Sequence, residues 1–422
     1  MDLDVRLKRR YEQLVRSHMI TSELLSSGVK SSIKSNNAFS QTQAAWRFFN
    51  NERCEISELI KPILAHGVDH SNECDSYALM VHDWSGLIYK KHESKKDRYG
   101  VHNKKELGYE LQASLLLSDV HGGPIAPVAL NVVTADKVLS TYNKAASLSE
   151  THLEELAKRI HYIEGNHFKK PLVHIIDREG DSVQLMRALS GRKWLVRCRS
   201  NSTVTYQGAS VRVDKLASQL LYTHARTIKY KGIEAEQYLA NTEIQVTRAA
   251  IPKKTEDGKR KKITGEAIKC RFIVSRVHDK EGNIVAWWYL LTNVETDMAT
   301  VALWYYWRWS IETFFKLVKS AGMQIESWQQ ETGEAITRRL LIVCMACVLV
   351  WQIASAKGPE AVKLRQILVR LSGKQMKYGV EFTKPALFTG LCSLLNTLDL
   401  LEKYDPDELK QMLRNMLGEA FV

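Results

Sequence analysis

Neither an apolar leader nor a membrane-spanning run is expected in this sequence. The N-terminus MDLDVRLKRRYEQL lacks the hydrophobic stretch of a signal peptide, and no segment approaches the ~18 consecutive apolar residues of a spanning helix. The seven cysteines (Cys54, Cys74, Cys198, Cys270, Cys344, Cys347, Cys392) are odd in number and stand at no zinc spacing with histidines, which speaks for a reducing compartment. Cys344 and Cys347 form a C-x-x-C inside an apolar run over 340–353, where a thiol serves as a small hydrophobe. There is no internal repeat. From these absences a soluble, cytoplasmic protein with no membrane partner is expected.

Acidic charge is also in short supply. The chain carries 47 Asp and Glu against 60 Lys and Arg, a formal charge of +13, which favours a polyanion such as nucleic acid as partner. With 422 residues, 45% of them hydrophobic, the chain is long enough for one large core or two to three ordinary units.

Periodicity divides the chain. Residues 1–70 read as small basic helices, one over 4–19 and one over 41–49, broken by the linker KSSIKSNNAFS. Strand character begins near residue 76: YALMVHDWSGLIYKKH reads as two short strands around Asp83 to Gly86, and the apolar stretch 111–117 follows. A helix over 149–163, the strand LVHIID, a helix over 181–189 and the strand WLVRC complete a mixed α/β sheet with helices on its faces. Residues 200–295 look like an inserted β-rich unit that contains the charged loop IPKKTEDGKRKK and ends in AWWYLLT. Helices return over 297–319 and 333–353, and a helical tail runs to Val422.

The densest chemical signal is YYWRWSIETFFKLVK. On a continuous helix at about 100° per residue, Tyr305, Arg308, Glu312 and Lys319 fall within roughly 60° of one another. A salt-bridged surface stripe is the plain reading, aided by Arg308 and Glu312 at i,i+4. The flanking Trp304, Trp307, Trp309, Phe314 and Phe315 are expected to bury the remaining surface, which turns the polar stripe toward a cleft. A cleft with a carboxylate and cations suits a metal-bridged phosphate, and that requires further carboxylates. Asp83 and Asp177 are the candidates, each after a β run at an expected carboxyl end of a strand, where open α/β sheets place ligands. Asp181 in DREGD competes with Asp177, and the strand that stops just before Asp177 favours the latter.

The spacing of Tyr305, Arg308, Glu312 and Lys319 resembles the signature of bacterial DDE transposases of the insertion sequence four family, which includes the transposon five enzyme. TQAAWRFFNNERC, HDWSGLIY and IIDREGD are similar, in order, to the family's N-terminal helical stretch and the segments bearing its two catalytic aspartates. Departures are His82 before the first Asp and Trp84 after it. The resemblance implies a ribonuclease H-like core over 71–360, interrupted by the β insert near 200–295. It also implies a helical DNA-binding domain over 1–70 and a C-terminal helical region over 361–422 with dimer contacts. Asp83, Asp177 and Glu312 would be catalytic metal ligands, and Tyr305, Arg308 and Lys319 would hold phosphates. Trp288 would stack on a flipped base, with Trp287 or an ordinary buried aromatic as alternatives, and Arg197 would lie in the cleft. Two Mg²⁺ or Mn²⁺ ions, double-stranded DNA as transposon ends and target, and a homodimer on DNA complete what the family implies. A nuclease that only cuts, and a non-catalytic DNA-binding relative or inhibitor, are the rival readings. Three carboxylates that repel without a metal argue against the second.

Overall fold

The computed structural model describes residues 4–20, 38–250, 262–319 and 323–417. The expected linker after the first helix and the charged loop of the insert lie largely outside the described residues. Helices α1 (Val5–Ile20), α2 (Ala38–Phe49), α3 (Ile56–Leu59) and α4 (Lys61–His70) come first. Then come β1 (Ala78–Ile88), β2 (Tyr99–Gly100), β3 (Leu107–Ser118), β4 (Pro124–Val133) and β5 (Val138–Ser140). Alternation follows with α5 (His152–Glu164), β6 (Leu172–Ile176), α6 (Val183–Ala188) and β7 (Lys193–Arg197). The insert comprises β8 (Thr203–Tyr206), β9 (Ala209–Arg212), α7 (Val213–Gln219), β10 (Thr223–Tyr230), β11 (Ile233–Val246), β12 (Ile268–His278) and β13 (Ile284–Thr292). Helices α8 (Met298–Trp307), α9 (Trp309–Lys319), α10 (Gly333–Ser355), α11 (Pro359–Leu371), α12 (Lys384–Leu401) and α13 (Pro406–Leu417) close the chain.

Among the described residues the strands form one sheet in the order β5, β4, β3, β1, β6, β7, β13, β12, β11, β8, β9, with β2 on β3 and β10 on β11. This is a large mixed sheet with flanking helices. The β-rich insert continues the same sheet, because β13 pairs antiparallel with β7.

Two strand expectations change. HDWSGLIY does not turn: β1 runs unbroken through Asp83 and Gly86, paired with β3 at every residue from Ala78–Ser118 to Ile88–Gly108. Pairing along the whole strand outweighs the local turn preference of Asp, Ser and Gly. Gly108 permits the close approach, since a Cβ there would lie 1.9 Å from the Leu87 carbonyl oxygen. The third strand of the meander is β4, whose Pro124 and Pro127 masked it in the sequence.

Side chains alternate across the sheet. One face carries Val81, Ile175 and Leu195 into a core shared with α9 and α10, and the other carries Ile176 and Val196 against Leu156 and Ile160 of α5. Helix α5 starts where the sequence dictates, with Thr151 and Glu154 forming a reciprocal capping box. Helix α10 is long and apolar enough to cross a bilayer by composition, contrary to expectation, yet most of it is buried in the protein. Cys344 and Cys347 are both fully buried on it. The described helices α1 to α4 contribute side chains to this core. Tyr11, Leu14 and Val15 of α1 join the cluster that holds α10, and Arg16 pairs with Asp399 of α12.

Candidate active site

The site begins with strand register. β1 and β6 pair in parallel from Ala78–Leu172 to His82–Ile176. Asp83 and Asp177 are the next residue on each strand, so the register sets their backbones side by side, roughly 5 Å apart at the strand spacing. The two chains then part. β1 continues along β3, while Asp177 caps a short 3₁₀ turn over Arg178–Gly180, its Oδ1 accepting the Glu179 N–H at 2.8 Å. Asp83 therefore sits in mid-strand, not at a strand end, but at the point where its parallel neighbour stops. Asp181 lies elsewhere: its carboxylate accepts the Arg199 N–H at 2.8 Å and is further held by Ser202 and Arg248. That clasp ties the turn to the insert.

The second half of the site comes from a break in the expected helix over 297–319. α8 and α9 meet at Arg308, where the N–H of Arg308 bonds to Tyr305 O and that of Ile311 to Arg308 O, each at 3.1 Å and each three residues back. The break is docked on the β3–β4 turn. Gly122 adopts φ +65°, a Cβ there would lie 2.3 Å from the Trp307 ring, and its carbonyl accepts Ser310 Oγ at 3.0 Å. The tight turns bend the polar stripe, so Tyr305 enters the core and Arg308 reaches the carboxylates.

Arg308 donates from Nη1 to Asp83 Oδ2 at 3.1 Å and from Nη2 to Glu312 Oε1 at 2.5 Å. Burial pushes the Asp83 carboxyl up to about 6, against the pull of Arg308 and the Trp84 N–H, and the nearby Asp177 and Glu312 carboxylates push it further. Three acidic groups thus feel one another beside a single guanidinium. Among the described residues no three His, Cys, Asp or Glu side chains stand close enough to hold a metal ion. The donor chemistry nevertheless fits a hard divalent cation, which takes oxygen ligands and would offset both the burial that raises Asp83 and the repulsion from Asp177 and Glu312.

The other residues singled out in the sequence divide by face. Arg197 pairs with Leu290 across β7 and β13, on the Asp83 side, and with Asp177 and Arg308 it is among the charges that act on the Tyr305 hydroxyl. Tyr305 is 1% exposed, and burial raises its phenol above the ordinary range. Trp288 shares this face and is 3% exposed, its ring centroid 5.8 Å from Tyr305, 6.4 Å from Tyr306 and 6.2 Å from Tyr230. Trp287 points to the opposite face, under the Arg276 guanidinium at 4.3 Å. The buried aromatic alternative thus describes Trp288 as it stands here. Lys319, at the end of α9, is partly buried and neighbours Glu326.

Behind Asp83 the other face carries polar contacts that the sequence did not disclose. His82 bonds through Nδ1 to Ser114 Oγ at 2.8 Å and through Nε2 to His174 Nδ1 at 2.9 Å; His174 Nε2 meets Glu164 Oε1 at 2.8 Å. Because the carboxylate only accepts, the donors run from Ser114 to His82 to His174 to Glu164, with both rings neutral. Burial lowers both histidines. Nearby, His152 lies 3.0 Å from Glu110 and 3.1 Å from Glu179, with its ring 4.6 Å from that of Trp84. Those two carboxylates raise His152 to about 10. One imidazolium thus touches the residue after Asp83 and the loop after Asp177. No spacing rule joins these positions, which only the sheet brings together.

The family model described as transposase DDE domain matches residues 79–349, from β1 into α10. Among solved structures the chain is similar to piggyBac transposase in a synaptic complex with hairpin DNA, determined by cryo-electron microscopy. The two are 10% identical with a TM-score of 0.38, and the match covers 90% of this chain and 64% of that one. No curated protein matches the chain.

Proposed function

The chain belongs to the transposase DDE domain family, and on that premise we propose that it is a transposase of the insertion sequence four group. In this reading it binds transposon ends, cuts them and joins the element to target DNA as a homodimer on double-stranded DNA in the bacterial cytoplasm. The observation that carries it is the adjacency of Asp83 and Asp177 across β1 and β6, with Glu312 brought to the same site through Arg308. The strand order β4, β3, β1, β6, β7, with β6 and β7 parallel to β1, supports a ribonuclease H-like core over 71–360. Helical parts over 1–70 and 361–422 serve DNA binding and dimer contacts.

Asp83, Asp177 and Glu312 would hold two Mg²⁺ or Mn²⁺ ions, which supply an activated water and stabilise the leaving 3′ oxygen. Arg308 then yields its carboxylate contacts and turns to phosphate oxygens, where its planar fork binds best. Arg197 and Lys319 add positive charge for the phosphates, beside the buried Tyr305 hydroxyl. A freed 3′-OH attacking the opposite strand gives a hairpin, and attacking target DNA gives joining. Trp288 receives the displaced base once Tyr230 and Tyr306 uncover its ring. Incubating the protein with labelled duplex and supercoiled plasmid tests the reading: joined products support a transposase, and cut products without joining leave a nuclease.

A further inference from the structure

The segment between β1 and β3 carries KKHESKKDRYGVHNKK, and its charges are used in two different ways. One set is turned inward. Lys95 is 1% exposed and donates to the Trp328 carbonyl at 2.8 Å. Arg98 donates to the carbonyl of Lys95 at 2.8 Å and to that of Tyr89. Asp97 accepts from Tyr109 Oη at 2.5 Å and from the Gly333 N–H, at the start of α10, at 2.7 Å. Helix α10 thereby anchors the segment at its amino end, where a carboxylate is favoured.

The other set is turned out. Lys90, Lys91, Lys96, Lys104 and Lys105 are exposed, and none of the five has an ion pair or side-chain hydrogen bond with the described residues. Glu93 is the exposed acid among them. The segment follows Ile88, the end of β1, which is five residues beyond Asp83 on the same strand and about 17 Å away at the strand rise. Lys319 of α9 lies near this strand end, since Glu326, which acts on its ammonium, accepts the Ile88 N–H at 2.8 Å. At 3.4 Å per step this distance is about five base pairs.

We propose that residues 90–105 form a rigid phosphate-binding platform that grips the DNA duplex about half a helical turn from the cut. The anchoring through Lys95, Arg98 and Asp97 fixes the lysines before DNA arrives, so little ordering cost is left to binding. The inference rests on the reading of Asp83, Asp177 and Glu312 as the cutting site only for what the platform serves; its affinity for duplex is independent of cleavage.

The test replaces all five exposed lysines by glutamine in the full chain and measures affinity for a labelled duplex, taken from the DNA flanking the gene, across about 50 to 200 mM salt. A control replaces Lys215, Lys269, Lys357, Lys363 and Lys377, five exposed lysines away from the segment, and so removes the same charge. The slope of log affinity against log salt should shrink by about 4 in the platform variant, at about 0.9 per phosphate contact, and by under about 1 in the control. Equal slopes in all three proteins, or equal losses in both variants, would overturn the platform. A parent chain that binds duplex with the expected slopes but never cuts leaves the platform standing and removes the proposed cutting site.

Discussion

Arg308 is 3.1 Å from Asp83 through Nη1, and its other terminal nitrogen holds Glu312 at 2.5 Å. A cation of the chain itself therefore stands between two of the three acids, and Asp83 is still raised to about 6. The guanidinium offsets only part of the cost of burying that carboxylate.

A pH dependence follows, for protein kept free of divalent ions. The folded Asp83 holds its proton to about 6, whereas the unfolded chain releases it near the ordinary value of about 3.9. The group is neutral in both states below pH 4, stability falls as pH rises from about 4 to 6, and the full cost stands above that. Asp83→Asn should raise the unfolding free energy at pH 8 by on the order of 1–3 kcal/mol and leave it unchanged at pH 4. Adding Mn²⁺ should stabilise the parent at pH 8 and not the variant. A variant with the same pH profile as its parent would show that Asp83 ionises freely.

His152→Gln tests the brace behind the acids. His152 is raised to about 10, so its charged contacts stabilise the fold fully below about pH 6.5 and fade as pH rises through 10. The melting temperature of the variant should fall furthest below that of the parent at pH 6 and approach it at pH 10, by an amount reduced by solvent screening at a side chain 35% exposed. Because Trp84 and Glu179 adjoin Asp83 and Asp177, Mn²⁺ affinity should weaken about tenfold. An unchanged affinity with a lowered melt would confine His152 to stability.

At Trp288 two readings separate by substitution. Trp288→Ala should destabilise by about 3–5 kcal/mol, as for any large core truncation. Trp288→Leu keeps much of the packing but removes the aromatic face, and should slow hairpin formation about 10- to 100-fold relative to the first nick if a base stacks there. The two steps, resolved on a denaturing gel, slowing together would assign Trp288 to the core alone.

End recognition is best tested in the whole chain, since α1 buries Tyr11, Leu14 and Val15 against the rest. Replacing the exposed Arg6, Arg9 and Arg10 by glutamine should lower the salt slope by about 2 to 3 and reduce discrimination between end and random duplex. Discrimination that survives intact would move specificity away from α1.

Much of this was legible in residue order, and the misses have physical causes. The alternation from α5 to β7 and the apolar strand LVHII declared themselves, because buried parallel strands and capped amphipathic helices carry local signals. Asp83 in mid-strand was not legible, since β3 supplies the pairing that overrides a turn-like DWSG. The break at Arg308 was hidden for a similar reason: YYWRWSIETFFKLVK reads as one helix until Trp307 meets Gly122. His152 and the His82–His174 pair depend on contacts between distant segments, which no periodicity reports. The division of the lysines in the β1–β3 segment into buried anchors and exposed charges likewise rests on contacts that residue order does not report.

The most direct measurement is cleavage of a labelled duplex that carries the DNA flanking the gene, in Mg²⁺, by the parent chain and by Asp83→Ala, Asp177→Ala and Glu312→Ala. The account expects a nick that leaves a 3′-OH with the parent, no nick in chelator, and loss of cleavage in each variant while duplex binding persists. Cleavage at the parental rate by Asp177→Ala, or in the absence of divalent metal, would contradict it.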